Sequence, residues 1–355
     1  MTSIEERKAD HIQICAEKPV SASYNFWNDV FLVHNALPEI DKRRISLSSS
    51  FLGAKLGAPI IISAMTGGFS GAKKINENLA AAAAEFQIGL GVGSQRAALA
   101  KPELAGTYSI VKEYDVPLRI ANIGAPQILE WGKKAQEMAN RAVDMIDAHC
   151  LAIHLNFLQE AIQPEGETNA KGCLDAISDL ARTIGIPIIV KETGAGISYD
   201  VAKRLCGAGS GISGIDVAGA GGTSFSAVEH YRLDESRKKL GKTFWNWGIP
   251  SPASLIEARR ACPKLPIIAS GGIANGLDCA KAITLGADCA GIARALLRPA
   301  LSGKEEAKRA VELLLEEMRI AIFLVGAKDV KALKNAEYRI TGAVRDFVNQ
   351  SKESD

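Results

Sequence analysis

The chain has 355 residues, 42 of them basic and 40 acidic for a formal charge of +2, with 47% apolar residues, 6% aromatic ones and 33 glycines. A balance this even excludes the single-sign field that nucleic acid or an anionic membrane surface would require. No uninterrupted apolar segment is long enough to cross a bilayer, and the charged stretch Met1 to Asp10 lacks the apolar core of a secretion signal, so the expectation is a cytosolic globular protein.

Residues 1–57 precede any regular pattern and read as an N-terminal arm or cap holding Arg7, Lys8 and His11. From residue 58 one grammar repeats: a short aliphatic run, a Gly- or Ser-rich break, then a stretch of helical periodicity. The runs are Pro59–Ser63, Ile88–Gly93, Pro117–Asn122, Leu151–Leu155, Ile186–Lys191, Ser213–Val217, Pro266–Ser270 and Asp288–Ala293. Eight such runs separated by helices predict an α/β fold, a closed (βα)8 TIM barrel filling 58–355 as a single domain with the arm, and an open doubly wound sheet is the alternative.

Between the runs, Ala72 to Phe86 has a good helix-forming composition, Pro102 suits a helix start, and Asn275 suits the cap of a helix running to Leu285 and ending at Gly286. Residues 218–250, after the sixth run, are too long for an ordinary barrel loop and carry Phe244-Trp-Asn-Trp-Gly-Ile-Pro250, the mark of a lid or binding wall. The tail from Gly303 predicts an amphipathic helix and a further helical pair. Seven cysteines at 15, 150, 173, 206, 262, 279 and 289 never form Cys-x-x-Cys, and read as small buried hydrophobes in a reducing compartment.

The ends of the runs carry the polar groups, and in a barrel those ends meet at one mouth. They include Ala64 to Gly68, Ser94 to Arg96, Asn122, His154, Asn156, Gln159 and Glu160, Lys191, Thr223 after a Gly-rich turn, Gly271-Gly272, and Ala293-Arg294. Gly-rich turns after the seventh and eighth strands let backbone N–H groups approach a phosphate beside a helix N-terminus.

Lys191 ends an aliphatic strand, where an ammonium needs a negative partner. It suits a Schiff-base nucleophile, a counter-ion or half of a structural ion pair. His154 and Asn156, two apart in one strand, would face the same side. Glu160 suits a Mg²⁺ ligand, a general base or a carboxylate merely paired with solvent or an arginine. No Walker A motif or Gly-x-Ser-x-Gly elbow occurs. The His-x-x-Arg pair expected of a flavin-dependent 2-hydroxy-acid oxidase is also missing, and none of the five histidines lies beyond His230.

Several motifs stand together: Arg7-Lys-x-x-His11, Asp29-Val-x-Leu-Val-His-x-Ala-Leu-Pro-Glu39, Met65-Thr-Gly-Gly68, Gly93-Ser-Gln-Arg-Ala-Ala98, Ala121-Asn-Ile-Gly124, His154-Leu-Asn-x-Leu-Gln-Glu160, Gln163-Pro-Glu-Gly166 and Ala218-Gly-Ala-Gly-Gly-Thr223. On these, from Arg7 to about Gly342, the sequence resembles the FMN-dependent type 2 isopentenyl-diphosphate isomerases and looks close to their archaeal members. The His154–Glu160 and Gln163–Gly166 motifs are specific to that family; the glycine motifs are shared with other FMN barrels.

The resemblance implies interconversion of isopentenyl and dimethylallyl diphosphate in isoprenoid biosynthesis, with reduced FMN as acid and base, Mg²⁺ on the diphosphate, and NADPH as reductant of the flavin. It implies catalytic roles for Gln159, Lys191 and His154. The substrate would meet Arg7, Lys8, His11, Ser94, Gln95, Arg96, His154, Asn156 and Gln159. FMN would be held by Ala64, Met65, Thr66, Ser94, Asn122, Lys191, Thr223, Gly271, Gly272, Ala293 and Arg294, and Mg²⁺ by Glu160. A homo-oligomer, tetramer or octamer, is expected. Three departures stand out: Asp10 where Glu is common, Asn246 where Asp is common, and Arg294-Ala295 where a Pro-containing end is usual.

Overall fold

The computed structural model describes residues 4–352. Twelve short strands form among them: β1 (Val30–Leu32), β2 (Ser49–Phe51), β3 (Ala54–Leu56), β4 (Ile60–Ile62), β5 (Gly89–Gly91), β6 (Leu118–Gly124), β7 (Cys150–Leu155), β8 (Ile188–Glu192), β9 (Gly214–Asp216), β10 (Ile267–Ala269), β11 (Cys289–Ile292) and β12 (Tyr338–Ile340). Strands β4 to β11 pair in parallel and close on themselves through the β11–β4 ladder, so the closed barrel is what forms. All eight runs read from the sequence are its strands.

Strand alternation sorts the side chains. Ile61, Ile120, Ala152, Ile189, Ile268 and Cys289 fill the interior, while Ile60, Ile62, Ile153, Val190 and Ile215 face the surrounding helices and join the larger core. Parallel strands covered on both faces have no wet side, which is why their sequences are continuous aliphatic runs. The β2–β3 hairpin inserts Phe51 and Leu56 into the interior cluster and closes the barrel floor.

The helix Ala72–Glu85 forms where its composition predicts, and Asn275 caps the helix Gly276–Thr284 by accepting from Asp278 N at 2.8 Å. Pro102 opens a 3₁₀ turn, Pro102–Leu104, followed by the short helix Gly106–Ser109. Residues 218–250 contain the helices Phe225–His230 and Lys238–Thr243.

The tail differs from the expected helical pair. After the helix Lys304–Leu324 and a short turn of helix, residues 338–340 form β12, which pairs antiparallel with β1, and the helix Gly342–Lys352 follows. Three residues are too few to carry a strand pattern of their own, and a partner three hundred residues away decides the conformation. Asp29 reinforces the junction: its carboxylate accepts from Val344 N and Tyr24 Oη, and its carbonyl from Thr341 N. No helix among the described residues is long and apolar enough to cross a membrane.

Candidate active site

Three adjacent strands set their polar residues in one row at the carboxyl ends. Register pairs His154 of β7 with Lys191 of β8, and Lys191 with Asp216 of β9. Ser270, just past β10, donates to Asp216 Oδ1 at 2.6 Å. Burial pushes the Asp216 carboxyl up to about 6 against the pull of Lys191 and Ser270, and burial lowers Lys191 against the pull of Asp216 and Glu192. Lys191 Nζ donates to Glu192 O at 3.4 Å, and the charges of Asp216 and Glu192 act on it without a direct ion pair.

His154 Nδ1 lies 2.9 Å from Asn122 Oδ1, and Asn122 Nδ2 donates to Val92 O. The amide is oriented by that second bond, so Nδ1 carries the hydrogen and Nε2 is the bare nitrogen. Burial, with Lys191 and Lys8 nearby, holds the ring well below the usual histidine range.

Beside this row lies a cavity of about 640 Å³, within the ~300–1,000 Å³ usual for small-molecule sites. Ala64, Met65, Lys191, Thr223, Gly271, Gly272, Ala293 and Arg294 border it. Thr66, Ser94 and Asn122 do not; Ser94 and Asn122 reach the mouth through their bonds to Lys8 and His154. Gly271 and Gly272 have φ of +90° and +79°, and a Cβ on either would strike the β9 loop at Gly219 or Gly221. Trp27 Nε1 and Asn25 Nδ2 take the carbonyls of Gly271 and Gly272, which turns the N–H groups of those two peptides the opposite way.

The helix Arg294–Ser302 begins at Ala293 with no side-chain cap, leaving its first N–H groups for an anion. Ser63 Oγ, on the cavity wall, and Thr66 Oγ1 are buried without partners. Volume, unfilled donors and a cationic Lys191 fit FMN. The Arg294 guanidinium, by contrast, is spent on the arm, bonding Cys15 O, Lys18 O and Ser21 Oγ.

The arm lays the helix Ile4–Glu17 across the mouth. Lys8 Nζ donates to Gly67 O, Ser94 O and Tyr108 Oη at 2.9, 2.5 and 2.8 Å, and burial with Arg7 beside it brings this ammonium down to about 7. Arg7 lies 3.5 Å from Glu165, and Arg96 pairs with Glu167 at 2.6 Å and Glu130 at 3.4 Å. The expected cations thus converge, each already engaged by a protein group.

Two residues depart from their expected places. Gln95 is fully buried with its back to the mouth: Oε1 accepts from Asn122 N and Nε2 donates to Ala142 O, so it fixes β6 and cannot reach a substrate. Asn156 lies beyond the end of β7, at the start of the helix Phe157–Ile162, where the chain leaves the strand; it does not continue the alternation with His154. Its Nδ2 donates to Glu160 Oε1 at 2.7 Å and its Oδ1 is buried without a partner.

Glu160 also accepts from Gln163 Nε2 at 2.5 Å and Glu167 N at 2.8 Å. Among the described residues no three metal-binding side chains gather. A single buried carboxylate beside a free amide oxygen nevertheless suits Mg²⁺, which keeps waters and substrate phosphates in its shell.

The sequence reading missed Glu229. It is fully buried on the helix Phe225–His230 of the long insertion, and its Oε1 accepts from His11 Nε2 at 2.9 Å and Gln159 Nε2 at 2.8 Å, while Oε2 accepts from Arg232. Burial alone would raise this acid, but His11, Arg232 and Gln159 hold it below the usual range. Asn246, on the same insertion, accepts from Ser23 N at 2.8 Å, a bond an Asp would also make.

Curated relatives match this chain almost end to end. An isopentenyl-diphosphate delta-isomerase of Thermoplasma volcanium is 46% identical over 351 residues, 97% of this chain and 99% of that one. The enzyme of the same name from Methanoregula boonei is 48% identical over 97% of this chain and 96% of its own. The chain belongs to the isopentenyl-diphosphate delta-isomerase family. Residues 135–340 also match the FMN-dependent dehydrogenase family model, which places these isomerases with the FMN-dependent type.

Among solved structures, a lactate oxidase of Pediococcus acidilactici superposes with a TM-score of 0.65 at 16% identity, covering 96% of this chain and 88% of that one. A mandelate oxidase with an FMN adduct gives 0.62 at 15%, covering 96% and 93%. These share the barrel with the isomerase family. The isomerase relatives, not the oxidases, share the sequence.

Proposed function

We propose that this chain interconverts isopentenyl and dimethylallyl diphosphate on reduced FMN, with Mg²⁺ at Glu160 and NADPH as the source of reducing equivalents. The observation that carries the reading is the junction at the mouth, where the cavity that fits FMN meets the Gln159–Glu229–His11 cluster and the cations of the arm. Bound and reduced, FMN supplies an acid and base beside the alkene, and Mg²⁺ neutralises the diphosphate.

The chain's own groups do the rest. Arg7, Lys8, Arg96 and His154 turn toward the diphosphate, exchanging their bonds to Glu165, carbonyl oxygens and Glu167 for phosphate oxygens. Lys191, in the field of Asp216 and Glu192, keeps positive charge beside the cofactor and favours an anionic flavin. Gln159 and His11 are fixed by one carboxylate oxygen of Glu229, so a proton at that cluster can be passed to or from the pocket along hydrogen bonds already made. Asn25 and the helix Ile4–Glu17 roof the site and exclude water.

Assembly into a homo-oligomer completes the reading. Leu313, Ile320 and Leu324 form an exposed stripe on the helix Lys304–Leu324, and Leu37 and Phe31 are exposed at 74% and 54%. The decisive test is to supply the purified protein with FMN, NADPH, Mg²⁺ and isopentenyl diphosphate and follow the methyl signals of the product by NMR. Product should accumulate to an equilibrium mixture without stoichiometric NADPH oxidation. Absence of product with flavin bound and reduced refutes the assignment.

A further inference from the structure

Two outer helices, Tyr199–Leu205 and Ser251–Ala261, run side by side, and each is followed immediately by a cysteine at its C-cap. At their other ends they are already joined. Ser254 Oγ accepts from Ile197 N and donates to Ile197 O, both at 2.8 Å, and Glu257 accepts from Tyr199 N at 3.0 Å. At the C-caps each thiol lies on the backbone of the opposite helix: Cys206 Sγ is 3.4 Å from Ala261 O, and Cys262 Sγ is 3.2 Å from Ala202 O. Both cysteines are free, and since Ala261 immediately precedes Cys262, these contacts set the two thiols at adjacent helix caps.

We propose that Cys206 and Cys262 are a redox site that closes into a disulfide and staples these two helices at the end away from the mouth. Cys206 is half-exposed and Cys262 buried, which assigns the order of events. The Cys206 thiolate attacks one sulfur of a low-molecular-weight disulfide, breaking its S–S bond and expelling a thiolate that picks up a proton. Cys262, deprotonated, then attacks the Cys206 sulfur of the mixed disulfide and expels the second small thiol. Two protein thiols are oxidised and one reagent disulfide is reduced to two thiols.

The other cysteines are poor competitors. Burial pushes Cys150 up to about 12 and Cys15 to about 11, and raises Cys173, Cys279 and Cys289 as well. The closed loop would span the whole insertion with Glu229, so the bond restricts a long stretch of the unfolded chain while leaving the mouth untouched.

The test treats the full-length protein with excess oxidised glutathione under native conditions and maps non-reduced tryptic peptides by mass. The peptides of Cys206 and Cys262 should appear joined, with the intact mass lower by about 2 Da. Tm should rise by roughly 5 °C, a shift reversed by dithiothreitol and absent in Cys206→Ser and in Cys262→Ala. Isomerase turnover of Cys206→Ser should match the unmodified protein. Recovery of Cys206 only as a glutathione adduct, joining of either cysteine to a different partner, or a Tm shift that persists in Cys206→Ser overturns the proposal.

Discussion

Gln159 Nε2 donates to Glu229 Oε1 over 2.8 Å, joining the helix Phe157–Ile162 that follows β7 to a helix of the insertion that sequence spacing keeps seventy residues apart. The bond leaves Gln159 one orientation and gives Glu229 one of its three donors. Replacing Glu229 by Gln keeps the volume but presents an amide N–H₂ to groups that are themselves donors. Isomerisation should slow by ~10²-fold or more while flavin retention is unchanged. Initial rates at saturating substrate decide it, and a wild-type rate would remove Glu229 from the chemistry.

Diphosphate binding should be linked to proton uptake. Lys8 sits near 7, and His154 lies well below the histidine range because it is buried among cations. An arriving polyanion reverses that environment and raises both. Titration with inorganic pyrophosphate and Mg²⁺ at pH 8, in buffers of different ionisation enthalpy, should report uptake approaching one proton or more, falling at lower pH as Lys8 becomes protonated beforehand. Lys8→Met should diminish the uptake.

Asp216 makes an unusual contribution to acid stability. Its folded pKa, about 6, lies above the 3.8 of an ordinary aspartate, so the native state binds the proton more tightly and this group's contribution is fully present below pH 3.8 and lost as pH rises through 6. Ordinary paired carboxylates act with the opposite sign. Asp216→Asn should therefore gain roughly 2 kcal/mol relative to wild type between pH 4 and pH 7, whatever its offset from losing charge beside Lys191. Urea unfolding at several pH values reads the slope directly, and parallel curves would refute the assignment.

Gly222 lies against Gly272 where the β9 and β10 loops touch, and a Cβ there would come within 2.4 Å of Gly272 N. Backbone cannot step aside as a flexible side chain can. Gly222→Ala should cost about 1–3 kcal/mol and weaken FMN retention, because it displaces the peptide N–H groups of the candidate phosphate cradle. Flavin absorbance after gel filtration, with thermal unfolding of the apoprotein, separates the two effects.

The barrel was legible because each strand is an uninterrupted aliphatic run with a polar end, a pattern written in neighbouring residues. His154, Gln159, Glu160 and Lys191 stood out for the same reason. Glu229 did not: it lies in an insertion with no strand rhythm, and its importance comes from His11 and Gln159, which meet it only in three dimensions. Asp216 carried a signal that could have been used, an acid between Ile215 and Val217 inside an apolar strand. Gln95 misled because its motif names a residue type without saying which way the side chain turns. Strand β12 was hidden because only β1, at the other extreme of the chain, makes three residues into a strand.

That ladder between β1 and β12 has a consequence for how the molecule is born. The stretch after the first helix finds its edge partner only in residues made after all eight barrel strands, so a nascent chain halted before Tyr338 carries its barrel strands but lacks the clasp that anchors the arm. Maturation of the pocket is thereby postponed until Tyr338–Ile340 have emerged, and the segment bearing Lys8 and His11 should be the last to resist a protease added to stalled chains.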